Sequence, residues 1–147
     1  SYPDEPKRAA NMQEFYATLS WPNIWPAGLI PSYTIVSTWP SESNSDIRDY
    51  SGWLHSFGLC YDLTAPGFLP TSEKQVLHLS AEAVYNDGAY GMEIDHDWSH
   101  AVFGVSTSFD LGNNLTFTPG FYYQSSWDDS VNGSDEYWTS LSLAYAF

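Results

Sequence analysis

One pattern constrains this chain more than any other: apolar and polar residues alternate with a period of two, segment after segment. Phe15, Ala17, Leu19 and Trp21 alternate within residues Glu14 to Trp21. Leu29, Pro31, Tyr33 and Ile35 do so within Leu29 to Thr38. From Trp53 to Leu63, Trp53, Phe57, Leu59, Tyr61 and Leu63 share one face, with His55 as the exception. From Gln75 to Tyr85, Leu77, Leu79, Ala81, Ala83 and Tyr85 oppose His78, Ser80 and Glu82. The same rhythm runs through Ala101 to Leu111, Leu115 to Trp127 and Tyr137 to Phe147. A helix cannot place every second side chain on one face, so the pattern predicts seven β-strands. Residues 1–13, with Pro3, Pro6 and the charged run Asp4 to Arg8, read as an irregular arm ahead of a β-segment at 14–147.

The residues opposite the apolar set narrow the architecture. They are Gly, Ser, Thr, Ala, Asp and Gln, as in Gly104, Ser106 and Ser108, or Ser140, Ser142, Ala144 and Ala146. A sheet that faces bulk water usually carries more long charged side chains there. Small, mildly polar residues suit a barrel interior. The strands are about ten residues long, the length that spans a bilayer in a tilted barrel. All 7 Trp fall near strand ends, as do Tyr residues such as Tyr137, and amphipathic rings are stable at headgroup depth. The competing architecture is a soluble β-sandwich that buries one face of each strand. Strand length, the small-residue face and the aromatic ends favour an antiparallel transmembrane β-barrel segment.

The connections alternate too. Trp21 to Gly28, Thr64 to Lys74 and Asp110 to Asn114 are short or carry turn residues. Pro40 to Gly52, Asn86 to Ser99 and Asp128 to Glu136 are longer and more acidic. Long loops on one rim and short turns on the other are the outer-membrane arrangement.

The last strand, Tyr137-Trp138-Thr139-Ser140-Leu141-Ser142-Leu143-Ala144-Tyr145-Ala146-Phe147, resembles the C-terminal strand of bacterial outer-membrane β-barrels. The segment from Gly112 through Asn113, Asn114, Thr118, Pro119 and Gly120 to Tyr123 looks like the penultimate strand of a widespread, poorly characterised group of such proteins. The resemblance implies a Gram-negative outer-membrane location, a lipid bilayer around the barrel, and an assembly signal at Tyr145 and Phe147 read by the barrel-assembly machinery. It implies no substrate. Single-chain bacterial barrels have an even strand number. Seven strands, with residues 1–13 starting on the outer side, lead to the expectation that another polypeptide or copy completes the barrel.

Composition excludes several classes. A net charge of -14, from 4 Lys+Arg against 18 Asp+Glu, argues against nucleic acid as a partner. An aromatic content of 18% is far too high for a disordered acidic tail. The lone Cys60, on the small-residue side of its strand, leaves no intrachain disulfide. No apolar run is long enough for a membrane helix, and the chain shows no secretory leader pattern.

Candidate chemistry is sparse. Asp62, Glu82 and Asp110 fall on the predicted lumen side, where carboxylates would favour cations. Asp95, His96, Asp97 and His100 form the densest set of potential metal ligands, although their spacing matches no compact site. Asp128, Asp129 and Asp135 lie in a stretch with oxygen donors and a Gly that falls short of a Ca2+ loop's twelve-residue spacing. For both sets a solvated acidic loop is the stronger reading, so no cofactor is predicted. Four His amid abundant Ser and Asp define no catalytic triad, and an enzyme is not expected. The sequence therefore points to a channel-like or porin-like barrel component. A scaffold barrel in a surface complex and an outer-membrane enzyme are the alternatives.

Overall fold

The structure is a computed structural model, and it describes residues 12–25, 28–41, 50–67, 74–89, 91, 96–129 and 133–147. Alternation becomes strands throughout: β1 (Met12–Ser20), β2 (Leu29–Pro40), β3 (Gly52–Pro66), β4 (Lys74–Asp87), β5 (Asp97–Thr107), β6 (Phe109–Gly112), β7 (Leu115–Ser126) and β8 (Glu136–Tyr145). Neighbours pair antiparallel in chain order, and β5 and β6 are one pass across the sheet, broken at Ser108. The result is an all-β antiparallel sheet curled into a half-barrel of 7 strands.

The break at Ser108 has a local cause. β7 carries Pro119, which has no N–H to donate. Ladder pairing stops at Ser106↔Gly120 and resumes at Phe109↔Phe117, on either side of that proline. Side chains close the gap. Gln75 Nε2 donates to Ser108 O at 2.8 Å and to Thr107 Oγ1 at 2.5 Å, and Thr107 Oγ1 donates to Val76 O at 2.7 Å. Ser108 and Thr118 hydroxyls share a 2.8 Å hydrogen bond across it. Gln75 is buried, as this clasp requires.

The β6–β7 hairpin follows from its residues. Gly112, Asn113 and Asn114 have φ of 81, 52 and 61°, the left-handed region that Gly and Asn tolerate best. Asp110 Oδ1 accepts from the Gly112 N–H at 2.8 Å and holds the turn.

Most strand boundaries shift by a few residues from the sequence reading, and those of β1, β2 and β5 have a visible cause. β1 starts at Met12, because β2 continues to Pro40 and supplies partners for Met12 and Gln13; Gln13 Oε1 also accepts from Trp39 Nε1 at 2.7 Å. The irregular arm otherwise lies outside the described residues. β5 starts at Asp97, so Asp97, Trp98 and His100 stand in a strand and not in a loop. The register shift between Val84 and Tyr85 absorbs Ser99 as an extra residue and lets pairing continue past it. The Ser99 carbonyl then accepts from the N–H groups of Trp127 at 2.9 Å and Asp128 at 3.2 Å.

At the same rim the chain after β4 folds back over the start of β3. Asn86 is buried, its Oδ1 accepting from Ala89 N at 2.8 Å and its Nδ2 donating to Ala89 O at 3.2 Å. Gly52 lies directly against the Gly88 and Ala89 backbone, where no Cβ fits.

Among the described residues the buried apolar side chains are Val84, Ala89 and Ala101. These residues form one sheet and no second layer.

Candidate functional site

The register sorts the sheet into two chemically distinct faces. One row crosses the sheet as Pro31↔Leu59↔Ala81↔Phe103↔Tyr123↔Tyr137. The adjacent row on the other face reads Ser20↔Ser32↔Gly58↔Glu82↔Val102↔Gln124↔Glu136. Cross-strand partners share a face, so the first row belongs to an aromatic, apolar face and the second to a small, polar one.

The aromatic face is a contact network with no cover among the described residues. Tyr33 meets Phe57 at 5.2 Å between centroids, and Phe57 meets Trp98 at 5.7 Å. Trp98 packs edge-on against Tyr85 at 5.7 Å and Trp127 at 6.4 Å, and Tyr123 meets Tyr137 at 4.9 Å. Phe57, Phe103 and Phe121 are each 48% exposed despite lying well inside the sheet. Ala81, Ala83 and Ala101 leave an open apolar trough of about 830 Å3 between Phe57 and Phe103, with Trp21, Trp25 and Trp127 on its border.

His55, the one polar interruption on this face in β3, is satisfied near the rim. Its Nδ1 shares a 2.7 Å hydrogen bond with Tyr33 Oη, and its Nε2 lies 4.0 Å from Asp87 Oδ2.

The small-residue face is crowded where its glycines sit. A Cβ on Gly104 would come within 2.5 Å of Ser80 Oγ and 2.7 Å of the Tyr122 ring. Gly120 meets Tyr122 and Ser140 in the same way, and Gly58 meets Ser32. Tyr122 lies across Gly104 and Gly120 and stacks on Trp138 at 5.4 Å, with 11° between ring planes. This aromatic pair on the polar face is missing from the sequence reading. Strict alternation would have found it, because Tyr122 shares parity with Gly120 and Gln124, and Trp138 with Ser140.

The three acidic residues assigned to this face diverge in environment. Glu82 stands in the central row, opposite Val102. Asp62 Oδ1 is 2.6 Å from His78 Nδ1 on the neighbouring strand. Asp110 holds the hairpin described above. Cys60 is exposed, between Ile30 and Ser80 in the ladder.

Among the described residues the candidate metal ligands do not converge. Asp95 lies outside the described residues. His96 pairs through Nδ1 with Asp87, Asp97 Oδ1 accepts from Trp98 N at 2.7 Å, and His100 Nδ1 bonds Ser99 Oγ at 2.9 Å. In the second set, Asp135 Oδ2 accepts from Tyr123 Oη at 2.6 Å and Oδ1 from Ser126 N at 2.9 Å. Those two bonds, Tyr123 first, hold the Asp135 carboxyl below the usual carboxylate range. Asp128 lies two residues past the end of β7, Asp129 is exposed, and residues 130–132 are not described. Among the described residues, no three His, Cys, Asp or Glu are grouped to hold a metal ion. Tyr145 and Phe147 are exposed at the end of β8 and pack edge-on at 5.3 Å.

Comparisons with protein families, curated proteins and solved structures find no match for this chain.

Proposed function

We propose that this chain is a component of a bacterial outer-membrane β-barrel, with the aromatic face toward lipid and the small polar face toward a channel-like lumen. The observation that supports this is a single-layer sheet whose aromatic face is covered by nothing among the described residues. The chain exposes 10279 Å2 of surface. A compact soluble monomer of this size exposes about 7,600 Å2. Large uncovered apolar patches mark protein or membrane contact, and the resemblance of β8 to the strands of outer-membrane barrels supports the outer-membrane setting.

The lumen reading gives Glu82 a role. A carboxylate in the middle of a row of Ser, Gly and Gln attracts cations from a low-dielectric wall. The Tyr122–Trp138 stack supports a second reading, a scaffold barrel whose lumen holds a partner against that aromatic shelf. Planar-bilayer conductance of the assembled protein separates the two. A channel gives discrete, cation-preferring steps, and Glu82→Gln weakens the preference without unfolding the protein. A silent bilayer, with a macromolecule retained in the lumen, defeats the channel and favours the scaffold.

A further inference from the structure

We propose that the two open edges of this half-barrel are closed by an odd number of antiparallel strands from outside its seven passes, and not by a second copy of the same seven. The inference rests on the membrane reading above and deepens it by defining the partner.

In β8 the Ala146 N–H donates to Asn114 O at 3.0 Å, toward β7. Successive residues of a strand point their N–H and C=O to opposite sides. Tyr137, Thr139, Leu141, Leu143 and Tyr145 therefore present theirs to the open edge. At the other end of the sheet, Trp21 N donates to Pro31 O at 3.0 Å, toward β2. Met12, Glu14, Tyr16, Thr18 and Ser20 consequently face outward. Among the described residues no strand pairs with either outer edge. In hydrocarbon, backbone groups like these must be paired, which is why spanning sheets close.

The edges are not built to stay open. Exposed edges are normally blunted by Lys, Pro, inward charges or bulges. β8 reads EYWTSLSLAY and β1 reads MQEFYATLS, with no Lys or Pro in either. Both are regular in register against their inner neighbours.

Direction decides the partner. The seven passes are joined as a meander, so β1 and β8 run the same way. A strand seated antiparallel on β1 and one seated antiparallel on β8 also run the same way as each other. A meander that begins and ends in one direction has an odd number of strands, which makes the closed total even. With the sheet curled to half a barrel, roughly five or seven strands are missing.

A second copy does not satisfy this. Inserted in the same orientation, it sets β1 beside the copy's β8 with both strands parallel, at two seams. Antiparallel seams, β1 on β1 and β8 on β8, need the copy inverted. Its acidic connections after β2, β4 and β7 would then emerge on the opposite side of the membrane.

The test uses photoreactive benzophenone side chains placed singly at Tyr16, Ser20, Leu141 or Tyr145 in the chain in its native membrane. An equal mixture of isotopically heavy and light chains identifies copy-to-copy links, and heat-modifiable gel migration before irradiation confirms folding. The expected joined peptides lie outside residues 12–147. Moving the probe from Tyr16 to Ser20 shifts the attachment point about four residues toward lower numbers, as antiparallel pairing demands. Links from β1 to β8 of a second copy, with residue numbers rising together, overturn the proposal. So do links from β1 to β8 of the same chain, or edges that give no link and whose amides exchange freely. A membrane-embedded chain with such seams defeats this inference alone. A chain recovered wholly in the soluble fraction defeats the membrane reading and the inference with it.

Discussion

Gly104 shows how one missing side chain shapes the small-residue face. Its neighbours occupy the volume a Cβ needs, and Tyr122 lies over it because nothing projects there. Gly104→Val should displace Tyr122 from Trp138 and destabilise the fold by about 1–3 kcal/mol, the usual cost of overpacking. Thermal melting in detergent, with near-ultraviolet circular dichroism reporting the stack, measures both effects. Asp135 acts through charge instead. Its folded-state pKa lies below the usual carboxylate value, so its contribution is present above the unfolded pKa of about 3.9 and is lost as pH falls through the folded value. In the native protein, exchange of the Ser126 amide should accelerate as pH is lowered through that window, after correction for intrinsic exchange. Asp135→Asn should remove most of the pH dependence.

At the scale of elements, two devices deal with imperfect strands. The first is the Gln75 clasp across the interruption opposite Pro119. Gln75→Leu leaves the Ser108 carbonyl without its side-chain donor and should cost about 1–3 kcal/mol. Loosening should appear in hydrogen exchange at β6 before it appears in β3. The second is the β6–β7 hairpin, where Asn113 and Asn114 hold positive φ. Asn114→Val places a β-branched residue in the left-handed region and should cost about 1–3 kcal/mol. Because this hairpin sets β7 beside β6, refolding into micelles should slow, whereas the same substitution at exposed Thr139 should leave the rate nearly unchanged. Much of this scale was legible in the sequence. The Gly112-Asn113-Asn114 turn announces itself by residue type, and all seven passes follow from period-two alternation. Neither the clasp nor the Ser99 bulge was legible, since each depends on which residues of different strands come to lie side by side.

For the whole molecule, the proposed orientation of the two faces makes a prediction that uses the lone cysteine as a reporter. Cys60 is exposed on the small-residue face. In the assembled protein a water-soluble, membrane-impermeant maleimide should label it. In a Cys60→Ser background, a cysteine in place of Phe103 should react with an apolar maleimide and resist the water-soluble one. Equal labelling of both positions by the water-soluble reagent would mean that both faces meet water, as in a soluble sheet covered by another protein. The experiment reads the orientation of the faces directly and does not depend on conductance.

Strand placement, strand order and the broad contrast between an apolar and a small-residue face can be read from the amino-acid sequence alone. The side-chain period of a strand is two whatever surrounds it, and short connections leave a meander as the simplest path. His55 was legible as an interruption of the apolar face, but its hydrogen bond to Tyr33 was not. Tertiary structure decided that partnership, the separation of Asp62, Glu82 and Asp110 into a partner of His78, an open carboxylate and a turn cap, and the dispersal of the candidate metal ligands among the described residues. It also decided the laying of Tyr122 over Gly104 and Gly120 and its stacking on Trp138. Apart from the local bonds of Asp110, Asp97 and His100, these features depend on cross-strand register, and a shift of one residue would exchange the cross-strand partners and turn each side chain to the other face. Alternation carries the parity of a strand but not its alignment with its neighbour, and in a single-layer sheet that alignment sets which groups meet.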